Sequence, residues 1–227
     1  MVKRILCSLL MLALLTSVAA AGVIVGGTRI IFHGTQKESA LSVTNPDAST
    51  WLIQSWVESL DQNKAPFIFS PPLFRLDGQQ KNVLRLIYTG GTLPLDRESL
   101  FWANIKSIPS SSDKENVLQI AIKTQIKLIW RPAGLKQHIS RNDMAKLRWR
   151  WQQGKLQVTN PTPYYMNFHS ITVNGNALAD ADWVAPFAVK TYSLSQPAHS
   201  GKVSWRLIND YGAPTETFQA AYSPHDQ

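Results

Sequence analysis

After residue 22 the apolar positions of this chain recur at every second residue, in short runs bounded by turn residues. The runs at 23–32, 41–44, 51–57, 83–88, 100–108 and 117–130 are separated by His33-Gly34, Asn45-Pro46, Pro71-Pro72, Asp77-Gly78 and Gly90-Gly91. Period two puts alternate side chains on opposite faces of a pleated strand, so each run predicts a half-buried strand. The style repeats at 147–151, 156–159, 165–173, 189–194 and 203–208. Strands at this spacing, without a long amphipathic helix, predict an all-β sandwich or barrel. Arg131-Pro132-Ala133-Gly134 and a polar stretch to Asn142 interrupt the pattern. Proline and glycine end a strand there and place a domain boundary at about residue 140.

One run is too long for its setting. In 117–130 the even positions Leu118, Ile120, Ile122, Ile126, Leu128 and Trp130 are apolar, while Gln119, Lys123, Gln125 and Lys127 lie between them. Fourteen extended residues span about 46 Å at ~3.3 Å each, against about 17–20 Å for an ordinary strand. A small sandwich does not cover that length, so part of the apolar face is expected to protrude or to bury itself in another molecule. Natural sheets usually avoid such an edge, because it invites aggregation. Two consecutive core strands, kinked near Lys123-Thr124, account for the same pattern.

The first residues point to export. Lys3 and Arg4 precede an apolar stretch from Ile5 to Val18, and Ala19-Ala20-Ala21 supplies small residues. That order predicts a signal peptide over 1–21, cleaved after Ala20 or Ala21, and it is too short for a bilayer span. Cys7 is the only cysteine, so the mature chain is expected to have no disulfide and to depend on packed cores. The whole chain has 23 basic and 15 acidic residues; without Lys3 and Arg4 there are 21 against 15, a net of +6. No Lys/Arg run exceeds two residues, which describes a basic surface rather than a nucleic-acid-binding tail. The length beyond residue 21 accommodates two domains, 22–140 and 141–227.

The stretch Leu93-Pro94-Leu95-Asp96-Arg97-Glu98-Ser99-Leu100-Phe101-Trp102-Ala103-Asn104, followed by Ile108-Pro109, closely resembles the signature of the periplasmic pilus (fimbrial) chaperones of the chaperone–usher pathway. Similar stretches surround it in order: Thr28-Arg29, Asn116-Val117-Leu118-Gln119-Ile120-Ala121, Ile126-Lys127-Leu128 with Arg131-Pro132, Asn160-Pro161-Thr162-Pro163-Tyr164-Tyr165, and Ile208-Asn209-Asp210-Tyr211-Gly212. The resemblance implies two immunoglobulin-like β-sandwiches in an L or boomerang arrangement. It also implies a periplasmic chaperone that holds pilus subunits, tip adhesins among them, by donor-strand complementation and delivers them to an outer-membrane usher. Leu118, Ile120 and Ile122 match the residues that fill the pilin groove. Arg29 and Lys127 match the pair that anchors the pilin's terminal carboxylate. Glu98, Arg131 and Asp210 match an ion-pair network joining the domains. Ile108-Pro109-Ser110 departs from the usual Ile-Pro-Pro, and the seven residues 110–116 resemble the short-loop branch of the family. The tail also lacks the cysteine pair that some relatives carry. The residues leave self-association of the unloaded chain open.

Other chemistry is thinly represented. Arg148-Trp149-Arg150-Trp151 interleaves cations and aromatics, but alternation puts Trp149 and Trp151 on one face and Arg148 and Arg150 on the other, as in an ordinary strand. The histidines are scattered without metal-ligand spacing, and no nucleophile elbow, Walker loop or dinucleotide fingerprint occurs. The expectation is a non-enzyme without cofactor, metal, nucleic acid or membrane insertion. Two competing readings are a secreted adhesive or carbohydrate-binding sandwich, with Trp51 or Trp183 lining a sugar site, and a periplasmic hydrolase built on a β-sandwich.

Overall fold

The computed structural model describes residues 22–61, 64–110, 118–195 and 199–224. The expected signal peptide with Cys7, the 111–117 segment containing Asn116 and Val117, and His225 lie outside the described residues.

Nine strands build the first sandwich: β1 (Ile24–Val25), β2 (Arg29–His33), β3 (Glu38–Thr44), β4 (Trp51–Ser59), β5 (Phe67–Ser70), β6 (Leu73–Leu76), β7 (Lys81–Tyr88), β8 (Ser99–Pro109) and β9 (Ile122–Arg131). One sheet runs β1-β3-β7-β5 and the other β2-β9-β8-β4-β6. Alternate residues of both turn inward, and Phe32, Val43, Ile53, Leu84, Leu86, Ala103, Ile105 and Leu128 are completely buried between them. Full burial of each larger side chain contributes roughly 1.5–3 kcal/mol.

The second sandwich opens on a one-turn helix, α1 (Arg141–Met144), whose N-cap Ser140 accepts from the Asp143 N–H. It continues with β10 (Arg148–Gln152), β11 (Lys155–Thr159), β12 (Met166–Val173), β13 (Asn176–Ala177), β14 (Trp183–Val184), β15 (Val189–Tyr192), β16 (Gly201–Leu207) and β17 (Phe218–Tyr222). Its sheets run β10-β11-β15 and β13-β12-β16-β17, with β14 also on β12. Trp149, Trp151, Leu156, Val158, Met166, Ile171, Val203 and Trp205 form its core. Among the described residues no helix is long and apolar enough to cross a membrane.

Several strand bounds differ from those expected. The run at 23–32 is broken, because the chain leaves one sheet after Val25 and joins the other at Arg29. The Gly26-Gly27 pair makes that crossing, and a Cβ on Gly26 would sit 1.9 Å from the Ser42 hydroxyl. Pro71-Pro72, read as a turn, forms the bend that joins β5 to β6 as the chain moves between sheets. No kink divides the 117–130 run at Lys123-Thr124. Both residues pair with β8, opposite Lys106 and Ile105.

A buried polar knot ties the two sandwiches together at the end of β9. Arg131, 1% exposed, donates through Nε to Glu98 Oε1 at 2.7 Å and through both terminal nitrogens to the Asp210 carboxylate at 2.8 Å. The other Glu98 oxygen accepts the Tyr165 N–H at 2.6 Å. Asn160 prepares that loop, donating to the Tyr164 carbonyl at 2.7 Å and the Ala185 carbonyl at 2.9 Å while accepting the Thr162 N–H. Burial pushes the Glu98 carboxyl up to about 7, against the opposing pull of Arg131 and the Tyr165 N–H. Arg131→Ala leaves two carboxylates facing each other without their cation. It is expected to cost about 3–5 kcal/mol in urea-unfolding experiments, far more than truncation of an exposed arginine such as Arg148.

Candidate functional site

β9 lies between β8 and β2, but its two neighbours differ in length. β8 pairs antiparallel with it from Ile122 to Trp130, whereas β2 joins it in parallel only from Lys127 onward. Residues 122–126 therefore have one edge without a paired strand among the described residues, and their outward N–H and C=O groups form a template for another strand. Ahead of them, residues 118–121 are exposed and pair with no strand among the described residues.

Side-chain exposure divides in two the apolar row made by β9 and the residues just before it. Ile126, Leu128 and Trp130 are buried in the first core, while Ile122, Ile120 and Leu118 are 45%, 61% and 83% exposed. Along an extended chain these six even positions share one face. The overhang thus presents outside the molecule the same kind of surface that β9 buries inside it. Gln119, on the opposite face, donates to the Ser110 carbonyl at 2.9 Å and steadies this segment beside the end of β8.

Where β2 begins, two cations lie side by side. Arg29 and Lys127 are direct Cα partners in the parallel register, on adjacent strands spaced about 4.8 Å apart. Like charges placed so closely repel unless an anion lies between them. Among the described residues neither forms an ion pair with a carboxylate; each instead donates to a neutral oxygen of the second sandwich. The Arg29 guanidinium reaches the Ile208 carbonyl at 3.3 Å, and the Lys127 ammonium reaches Asn167 Oδ1 at 2.6 Å. Arg29 Nε is enclosed and has no hydrogen-bond partner. Burial, followed by the neighbouring Arg29 charge, pulls Lys127 down to about 8. Two half-buried, under-neutralised cations suit a carboxylate, which an Arg fork can meet at both oxygens.

The structure brings Arg29 and Lys127 together, places Leu118, Ile120 and Ile122 on one exposed ribbon, and puts Glu98, Arg131 and Asp210 in a separate buried cluster. Several neighbours of the cation pair were not foreseen as part of it. Asn167 and the Ile208 carbonyl carry no sequence signal for contact with residues of the first sandwich. Trp183, considered as a sugar ledge, is half-buried, with the Lys127 ammonium 4.5 Å from its ring centre and Trp102 packed edge-on at 6.0 Å. Trp51 packs against the first core instead of offering an open face.

Comparison with known proteins accounts for both sandwiches. The family model described as pili and flagellar-assembly chaperone, PapD N-terminal domain, matches residues 22–136, and that for the pili assembly chaperone PapD, C-terminal domain, matches residues 142–219. The chaperone protein FimC of Escherichia coli K12 is 46% identical over 204 residues, covering 87% of this chain and 83% of its own. The chaperone protein LpfB of Salmonella typhimurium is 40% identical over 220 residues, covering 92% and 94%. Among solved structures, the SafB chaperone of Salmonella enterica, in complex with the SafA pilin, superposes with a TM-score of 0.81 at 38% identity, covering 90% of this chain and 98% of that one.

The site's own electrostatics can be checked without any ligand. Side-chain NMR is expected to find the Lys127 ammonium titrating near pH 8. Arg29→Gln removes the adjacent positive charge and should move that midpoint upward, toward the ordinary lysine range.

Proposed function

The chain belongs to the pilus-assembly chaperones of the chaperone–usher pathway, and from that membership and the half-bare β9 we propose how its residues do the work. It binds pilus subunits, stabilises them by donor-strand complementation and delivers them to an outer-membrane usher; it is a chaperone, not an enzyme. We place its action in the periplasm, reached through cleavage of the 1–21 leader, and assign 22–140 as the subunit-binding domain and 141–227 as the supporting domain.

Donor-strand complementation is a recognised form of β-augmentation. A subunit short of one strand exposes an apolar slot and a row of unpaired backbone groups, each costly to leave unsatisfied away from water. In this assignment residues 118–126 enter the slot as the absent strand. Main-chain hydrogen bonds satisfy its edges, and this pairing does not depend on the subunit's side chains. Leu118, Ile120 and Ile122 supply the apolar filling, which contributes about 5–9 kcal/mol before ordering costs are subtracted. Their 45–83% exposure in the unpartnered chain, beside an unpaired edge, is the observation that carries this reading.

Arg29 and Lys127 then grip the subunit's terminal carboxylate. Lys127 follows Ile122 by five residues, about 17 Å along an extended strand, so a fixed carboxylate fixes which subunit residue meets each donor-strand residue. Register matters because a one-residue slip turns every side chain to the opposite face. The buried triad of Glu98, Arg131 and Asp210 touches no subunit in this assignment and keeps the two sandwiches at a fixed angle.

Co-expression with the pilins encoded beside it is expected to yield a one-to-one complex from periplasmic extracts. The complex should be lost when Ile120 and Ile122 are both replaced by Asp, and when Lys127 is replaced by Ala, with circular dichroism unchanged in each case. A complex that survives the Asp pair would remove the 118–122 face from the assignment.

A further inference from the structure

The cations proposed to hold the subunit's carboxylate are both carried by the first sandwich, yet both are fastened by the second. Asn167 joins their attachments. Its side-chain oxygen accepts from the Lys127 ammonium at 2.6 Å, and its backbone carbonyl accepts the Ile208 N–H at 2.8 Å. The Ile208 carbonyl in turn accepts from Arg29 at 3.3 Å. Asn167 is 3% exposed, so this amide oxygen is withdrawn from water and committed to the lysine. On the neighbouring β14, Trp183 is the direct Cα partner of Asn167. Its ring lies under the same ammonium at 4.5 Å, and Trp102, the β8 partner of Lys127, packs edge-on against that ring.

A lysine side chain has four rotatable bonds and would otherwise move away from a neighbouring guanidinium. Here an acceptor and an aromatic face hold it beside Arg29, and both are neutral. A carboxylate in place of Asn167 would neutralise Lys127 internally and compete with a ligand. A neutral oxygen and a π face stabilise the ammonium while leaving its charge available. Arg29 and Lys190 are the other cations acting on Lys127, and Asp182, which is paired to Lys190, is the opposing anion.

We propose that Asn167 and Trp183 of the second sandwich are positioning residues that hold the Lys127 ammonium in place for the subunit's terminal carboxylate, so that the anchor is assembled only across the docked domains. This rests on the reading of Arg29 and Lys127 as the carboxylate grip and assigns that grip a dependence on the second domain. It gives the second sandwich a part in subunit recognition without requiring it to touch the donated strand.

The test uses the full-length mature chaperone and a fluorescent peptide copying the C-terminal strand of a subunit that co-purifies with it, ended once as a free carboxylate and once as an amide. Anisotropy is measured from neutral to alkaline pH. Binding of the free-carboxylate peptide is expected to weaken as Lys127 loses its proton near pH 8, and the amide should bind weakly throughout. Asn167→Leu and Trp183→Leu each remove a group favouring the ammonium. Each should shift the alkaline limb toward neutral pH and weaken binding about tenfold, whereas Trp183→Phe keeps most of the affinity. In a Lys127→Ala background both Leu variants should have no further effect. A limb that stays in place, or losses that add to Lys127→Ala, would overturn the positioning role. If Asn167→Leu does not fold, the Trp183 series decides alone. Unchanged discrimination between carboxylate and amide in Lys127→Ala itself would instead refute the carboxylate grip.

Discussion

The architecture turns on one strand that is asked to satisfy two different cores. β9 is longer than the neighbour on one of its sides, and period-two alternation projects its apolar row both into its own sandwich and beyond it. Ile126, Leu128 and Trp130 are buried, while Leu118, Ile120 and Ile122 stand in the open. Lys127 marks the changeover, where β2 begins to pair. Arg131 ends the strand in the domain bridge. The cation site and the domain bridge therefore lie on one continuous strand.

An apolar ribbon beside a bare edge is an aggregation hazard, and local features limit it. The face opposite the apolar row is polar: Lys123 approaches Glu58 at 3.6 Å and lies over the Trp56 ring, while Gln125 bonds Asn104. A charged edge discourages edge-to-edge pairing with itself, since two like strands would bring lysines together. What remains attractive is a deep apolar slot with its own unsatisfied edges, and that is the surface an incomplete subunit offers.

Much of this was visible in the alternation of residues, and the parts that were not share a cause. The length and amphipathicity of 117–130 fitted either an overhang or two kinked core strands, and Leu118 and Leu128 look alike in a pattern. Only the register with β2 shows where the core stops and the edge opens. Arg29 and Lys127 lie nearly a hundred residues apart, and a parallel pairing at that separation leaves no local trace, so their proximity was available only through family resemblance. Asn167 and Trp183 were out of reach for the same reason: one reads as a mid-strand polar residue and the other as a surface aromatic until the second sandwich is docked. β5 and β6 were missed because each is only four residues long, too short to register as an alternating run. Cores follow from periodicity within a segment, and sites follow from contacts between segments.

The junction contains two arginines and a lysine, and their surroundings separate structural from functional roles better than burial alone. Arg131 is nearly saturated: two carboxylates and a carbonyl take four of its five N–H donors, and water has almost no access to it. Nothing is left there for a ligand, and removing any member strands a buried charge. Arg29 and Lys127 lie on the same two strands but receive only neutral acceptors, keep an unpartnered donor and repel one another. Stability alone would favour an acidic residue between them, because a paired cation is less costly to bury than a lone one. Under the proposed carboxylate grip, leaving that acid out destabilises the empty protein slightly and strengthens its hold on an incoming carboxylate by the same interaction. In the proposed assignment the anion that completes the cluster comes from the partner.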